Sequence, residues 1–287
     1  MPSSPKIGAH VSTRGGFGRA ARFAWESGAA CFQYFPKNPR SLRLKALDRR
    51  DAEGCAAFCR DKGMVSIAHT PYPTNMAAGT GGAASRAVMV ASLLNDLELA
   101  EACGSLGIVV HFGHFGGIEP LQGYRNIIQC MNDTLESWHG QAKLLIENQA
   151  GNHGSEGMAV EELVKVRELS RFPEKIGFCL DTCHAFASGI WNPQHTDEFM
   201  QRGALLGYWE QLVAVHLNDS QFAFGSRRDR HASIGKGLIG EAGLQSLLLT
   251  DPFRNAAIVM ETGKGPDGSH REEIALVRKW YEAEEQA

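Results

Sequence analysis

Nothing in this 287-residue chain approaches the roughly 20 consecutive apolar residues that a membrane-spanning helix needs. The N-terminal stretch MPSSPKIGAHV has no apolar signal core, and the two absences together predict a cytoplasmic protein with no membrane partner. Low-complexity blocks and long Pro/Ser linkers are also missing, so a single domain over residues 1–287 is expected. There is no excess of basic charge: the formal net charge is −3, which by itself argues against nucleic acid as a partner. The seven cysteines are odd in number and lie mostly inside apolar runs. That excludes a disulfide framework and predicts buried thiols in a reducing compartment. Cys55/Cys59 and Cys179/Cys183 have spacings a metal could use, but neither pair has a matching second half, which argues against a thiolate zinc site.

Short apolar runs alternate with amphipathic stretches along the whole chain. The strand candidates are KIGAHV, ACFQYF, MVSIAHT, GIVVHFG, AKLLIEN, KIGFCLDTCH, LVAVHLND and AAIVMET. Helical candidates separate them, and FGRAARFAWESG, DAEGCAAFCRDKG and SRAVMVASLLNDLELAEACG each end at a glycine suited to a C-cap. Further helices are expected over YRNIIQCMNDTLESW, AVEELVKVRELS, TDEFMQRGALLGYWEQ, GEAGLQSLLLT and REEIALVRKWYEAEE. Near-continuous apolar strands are those of a buried parallel sheet. Eight strand–helix units predict an α/β fold, a single (β/α)8 TIM barrel. A doubly wound sheet is the rival, but GGFG after the first strand is too short for a dinucleotide fingerprint.

In such a barrel the chemistry sits at the C-terminal ends of the strands. There the sequence places His69, His111, Glu147, Asp181 with His184, His216 and Glu261 on the third to eighth strands. The stretch HLNDSQFAFGSRRDRHASIGKG after the seventh adds Asp229 and His231. One histidine at a strand end is commonly a structural hydrogen-bonding residue, and DRH alone would fit a solvated loop. Coincidence of place decides between the readings. Four carboxylates buried together without cations would repel or take up protons. Metal ions relieve that repulsion, and His plus carboxylate is the ligand chemistry of zinc and related divalent ions. Nine ligands exceed what one tetrahedral ion needs and suit two or three, an arrangement fitted to hydrolysis of phosphate esters. Three divalent ions would lift the formal charge from −3 to about +3, concentrated at one face. Lys37, Arg40, Arg43 and Lys45 after the second strand, with Arg227, Arg228, Arg230 and Lys236 after the seventh, would add a basic rim matched to a phosphate backbone.

On these residues the chain resembles endonuclease IV, the zinc-dependent apurinic/apyrimidinic endonuclease family of DNA repair. The motifs are IGAHVS (7–12), KNPR (37–40), HTPY (69–72), IENQAG (146–151), CLDTCHAFASG (179–189), HLNDSQFAFGSRRDRHASIGKGLIG (216–240) and ET (261–262), in the family's order. The resemblance implies a TIM barrel with three zinc ions, manganese or another divalent ion being the alternative at some positions. It further implies cleavage 5′ to an abasic site in double-stranded DNA, leaving a 3′-hydroxyl and a 5′-deoxyribose phosphate. Carried over, His69, His111 and Glu147 would hold the first ion. Glu147 would bridge to the second, with Asp181, His216 and Glu261, and His184, Asp229 and His231 would hold the third. Glu147 and Glu261 are the implied catalytic residues, Glu147 as the base. Asn38, Arg40, Tyr72, Arg227 and Arg230 are the implied DNA contacts, Arg40 and Tyr72 filling the gap left by a flipped abasic nucleotide. No obligate protein partner is implied.

The chain departs from the family's pattern in the DNA-reading loops. Leu42 stands where a Trp is common, Pro73 where a Leu is common, and FGHFGG replaces a Gly-Ser-His run after His111. His10 and His114 are expected near the mouth as supports of the ligands. Two rival readings remain: a metal-dependent sugar isomerase or epimerase of the same barrel type, and a weakly catalytic protein that binds abasic DNA. A two-ion sugar site would leave His184, Asp229 and His231 without a task.

Overall fold

The computed structural model describes residues 5–81 and 85–285; Met1–Ser4 of the N-terminal stretch lie outside them. Seven strands come first: β1 (Lys6–His10), β2 (Cys31–Tyr34), β3 (Val65–His69), β4 (Gly107–His111), β5 (Lys143–Glu147), β6 (Ile176–Asp181) and β7 (Leu212–His216). A small antiparallel hairpin follows, β8 (Asp219–Ser220) with β9 (His231–Ala232), and β10 (Ala257–Met260) completes the set. β1 to β7 and β10 close into one parallel barrel, with β1 pairing both β2 and β10. The eight barrel strands are the eight apolar runs of the sequence.

The barrel interior is filled by side chains from successive strands, among them Cys31, Ile67, Val109, Leu145, Cys179, Ala214 and Val259. Gly8 is required there, because a Cβ would lie 1.7 Å from the Cys31 carbonyl oxygen. A second apolar layer joins the outer strand faces to the helices: α1 (Phe17–Glu26), α2 (Arg49–Lys62), α3 (Arg86–Ala102), α4 (Pro120–Glu136), α5 (Val160–Leu169), α6 (Thr182–Ser188), α7 (Thr196–Leu205), α8 (Gly240–Leu248) and α9 (Arg271–Glu285). α2 illustrates how sequence sets the boundaries. Asp48 accepts from the Asp51 amide at its start, and Gly63 adopts left-handed φ 61° at its end.

Two sequence expectations need correction. KIGFCLDTCH does not run on as a strand: it stops at Asp181, whose side chain accepts from the His184 amide and caps α6. His184 is therefore a helix residue one turn above the strand end. TDEFMQRGALLGYWEQ is α-helical only to Leu205, and Trp209–Gln211 form a separate 3-10 turn. All seven cysteines are buried and unbridged.

Candidate metal centre

The strand ends bring all nine sequence-predicted ligands to one place. His69 Nε2 and His111 Nε2 lie 3.6 and 3.4 Å from Glu147 Oε2. His216 Nδ1 lies 3.0 Å from Glu147 Oε1 and 3.3 Å from Glu261 Oε2. Asp229 Oδ1 is 3.3 Å from Nε2 of both His184 and His231, and His231 Nε2 is 3.6 Å from Asp181 Oδ2. The donor atoms form compact groups in which every atom lies within 4.8 Å of the others: His69–His111–Glu147, Glu147–Asp181–His216 and His184–Asp229–His231.

Loop chemistry carries the last two ligands in. Buried Asp219 accepts from the amides of Ser220, Gly237 and Ile239, gathering both ends of the segment that holds Asp229 and His231. Gly237 must be glycine, since a Cβ would meet the Ser220 carbonyl oxygen at 2.4 Å. Arg227 in the same loop has φ 55°, the one positive φ outside glycine among the described residues.

Supporting groups fix the ligands' orientation. The Nδ1 of His69 faces the Thr70 carbonyl at 2.8 Å, which leaves its Nε2 aimed at the cluster, while the Nδ1 of His184 faces the Asn148 carbonyl at 2.9 Å and Glu147 Oε1 at 3.3 Å, with its Nε2 toward Asp229. Asn218 donates to Asp181 Oδ2 and accepts from the Glu261 amide. Gln33, from β2, contacts His216, Glu261 and His10. Sequence reading missed Gln33, Asn148 and Asn218. For Asn148 and Asn218 the signal was position, each standing beside a ligand at a strand end. His10 joins the network through Gln33, whereas His114 is exposed beside His153, which lines a small cavity with His111, His184 and Asp229.

Electrostatics test the fit to metal. Burial alone would strip the protons from His184 and His216, but Asp181, Asp229 and Glu147 outweigh it at His184, and Cys179 with Glu261 and Glu147 at His216, so both are held well above the usual range. His231 is likewise held at about 9, burial being overcome by Asp229 and Asp181. Burial opposes the ionised form of Glu261, yet His216 and His69 bring it down to about 2. A cluster so rich in carboxylate needs positive charge. Glu147 Oε2, His184 Nε2 and His231 Nε2 are buried without a hydrogen-bond partner, each such atom costing about 1–3 kcal/mol unless something ligates it. The residues fit divalent metal. Cys183 also lies beside Asp181 and His231, and burial pushes its thiol to about 12; the three other groups are complete with carboxylates and imidazoles alone.

Seven of the nine candidate ligands, all but Asp181 and His216, line a cavity of about 340 Å³ at the barrel mouth, flanked by His10, Phe35, Tyr72, Thr262, Lys264 and His270. Tyr72 is 61% exposed and packs edge-on against Phe35. Its amide donates to the Pro39 carbonyl, tying the HTPY loop to the loop of Asn38 and Arg40, both exposed. Arg227, Arg228 and Arg230 line a neighbouring cleft with Asn152 and Phe222, and Arg228 stacks over Phe222 at 4.7 Å. Lys37 departs from expectation: it is buried against Asp96 and is no part of a basic rim. Leu42 packs half-buried against the core.

Residues 21–280 match the family described as xylose isomerase-like TIM barrel. The chain is 42% identical over 273 residues to a probable endonuclease 4 of Symbiobacterium thermophilum, covering 95% of this chain and 98% of that one. Endonuclease IV from Thermus thermophilus superposes with a TM-score of 0.85 at 31% identity, over 97% of this chain and 100% of that one. A D-tagatose 3-epimerase-like protein shares the fold at TM-score 0.70 and 17% identity, over 98% and 100% of the two chains.

Proposed function

The chain belongs to the endonuclease IV family, and from that premise we propose that it cuts the phosphodiester 5′ to an abasic nucleotide in duplex DNA, leaving a 3′-hydroxyl and a 5′-deoxyribose phosphate. It is an apurinic/apyrimidinic endonuclease of DNA repair. Residues 1–287 act as one catalytic domain. Among the described residues no helix is long and apolar enough to cross a membrane, and the seven unbridged thiols suit the cytoplasm.

The sharing of Glu147 carries the reading. Its Oε2 faces His69 and His111 and its Oε1 faces His216, from β3, β4 and β7, a placement that would let one carboxylate serve two neighbouring ions. His69, His111 and Glu147 would hold the first zinc ion. Glu147, Asp181, His216 and Glu261 would hold the second, and His184, Asp229 and His231 the third. Bound there, divalent ions acidify water and neutralise charge on phosphate and leaving oxygens.

The chain's own residues do the rest. Glu147, at the meeting of the first two proposed ion sites, is the base that takes a proton from the attacking water. Glu261, more exposed than Glu147 and lining the cavity, orients that water toward the phosphorus. Phe35 and Tyr72 wall the pocket that receives the flipped nucleotide, which has no base to unstack and so leaves the helix at small cost. Arg40 and Tyr72 fill the space it vacates, while Asn38, Arg227 and Arg230 hold the flanking backbone.

Incision of a duplex with one synthetic abasic site, by protein of measured metal content, tests this. Cutting on the 5′ side with a 3′-hydroxyl product and about three metals per chain is expected. Tight binding without cutting favours the damage-binding reading, and turnover of a free ketose favours the sugar isomerase.

A further inference from the structure

Two histidines of the cluster, His69 and His216, have one ring nitrogen held by a group outside the nine, whereas His184 Nδ1 also lies 3.3 Å from Glu147 Oε1. For His69 that nitrogen meets a backbone carbonyl. For His216 it meets a side chain: Nε2 lies 2.7 Å from Gln33 Oε1. Gln33 is fully buried on β2, in register with His10 of β1. Its Nε2 donates to Glu261 Oε1 at 2.6 Å and lies 3.2 Å from His10 Nδ1.

These contacts leave little freedom. A carboxylate only accepts, so the amide nitrogen of Gln33 belongs toward Glu261 and its oxygen toward His216. An amide oxygen also only accepts, so His216 carries a proton on Nε2. Its Nδ1 is then the atom facing Glu147 and Glu261. The second amide hydrogen of Gln33 faces His10 Nδ1, which accepts it. Every donor and acceptor of one carboxamide is thereby spent on the cluster's periphery, where an apolar strand residue would have served packing alone.

We infer that Gln33 is a positioning residue, holding His216 with Nε2 protonated and locking Glu261 beside it, so that the pair presents Nδ1 and Oε2 together to the second ion. The inference rests on the metal reading above. A carboxamide suits the task because it offers a donor to the carboxylate and an acceptor to the imidazole at once. Glutamate would set a second carboxylate against Glu261, and methionine would fill the space while orienting neither.

The test compares zinc-loaded protein and its Gln33→Met variant. In wild-type protein labelled with nitrogen-15, long-range proton–nitrogen correlation is expected to find His216 protonated on Nε2, the signal being assigned by its loss in His216→Asn. Protonation on Nδ1 instead overturns the inference, whether or not Gln33→Met folds. Zinc retention is then followed against chelators of graded strength. Folded Gln33→Met is expected to release one ion about 10–100-fold more readily, the usual effect of losing a ligand's outer partner. A folded variant that keeps every ion with unchanged affinity also overturns it. If wild-type chain binds no zinc, the metal reading itself fails, an outcome distinct from intact wild-type loading with an indifferent Gln33→Met.

Discussion

Lys37 Nζ stands 3.1 Å from Asp96 Oδ1, and both side chains are sealed from solvent. Lys37 also donates to the Ser92 carbonyl and hydroxyl, fastening the start of the Asn38–Arg40 loop to α3. Beyond Lys37, Asp96 has no polar partner on either oxygen among the described residues. Burial pushes its carboxyl up to about 7 against the pull of Lys37. A buried pair this poorly supported contributes position more than stability. Lys37→Met or Asp96→Leu alone should destabilise by about 3–5 kcal/mol, and the double variant by far less. A urea double-mutant cycle measures the coupling, and additive single effects would refute it. The sign with pH also follows. The folded carboxyl titrates at about 7 and an unfolded one at about 3.9, so the native state holds the extra proton between them. Stability therefore falls as pH rises across that window, and the double variant should lose the slope.

Metal removal should be felt by the whole barrel. The candidate ligands come from six of its eight strands or the segments just after them, so ions held there would bind the folded chain and not the unfolded one. Each ion at a thousand times its Kd adds about 4 kcal/mol, and a chain of this size loses about 2–4 °C of Tm per kcal/mol. Exhaustive chelation should lower Tm by at least roughly 10 °C, reversed on adding zinc. Calorimetry with and without chelator decides it, and an unmoved Tm would mean that the cluster is satisfied without metal. Cys183→Ser should leave the metal count unchanged, because carboxylates and imidazoles supply every ligand of the three proposed ion sites without it.

Glu261→Gln keeps the size of the side chain and removes its charge beside His216. The variant should fold, while incision falls at least about 100-fold, the scale of misplacing reacting groups by an ångström. Circular dichroism and single-turnover kinetics separate the two effects. Near-normal turnover would remove Glu261 from the catalytic set.

The eight strands and the ligand cluster were legible because their signals are local. A strand buried on both faces is a continuous apolar run, and a charged or imidazole residue at its end interrupts that run visibly. What escaped depends on partners distant in sequence. Lys37 read as a rim cation because nothing local announces Asp96. Gln33 was hidden inside a strand whose other residues are apolar and aromatic, and its meaning comes from His216 and Glu261. α6 was missed because its seven residues begin directly at a strand end, and the Asp181 cap that starts it also serves as a ligand candidate.

The basic residues of the mouth divide into those tied to the protein and those free for phosphate. Lys45 is engaged, donating to the Pro36 carbonyl and lying over the Phe17 ring at 4.3 Å. Arg40 and Arg230 are exposed, Arg230 contacting the carbonyl of its neighbour Asp229. A free cation that meets a phosphate displaces a counterion, so its loss shows in the salt dependence of binding and not merely in affinity. Arg40→Glu and Arg230→Glu should each weaken binding to an abasic duplex and flatten the plot of log K against log salt by about one unit. Lys45→Glu should leave that slope unchanged, since its ammonium is already held. Fluorescence anisotropy across a salt series distinguishes these outcomes. Equal slopes for all three variants would place the DNA elsewhere on the mouth.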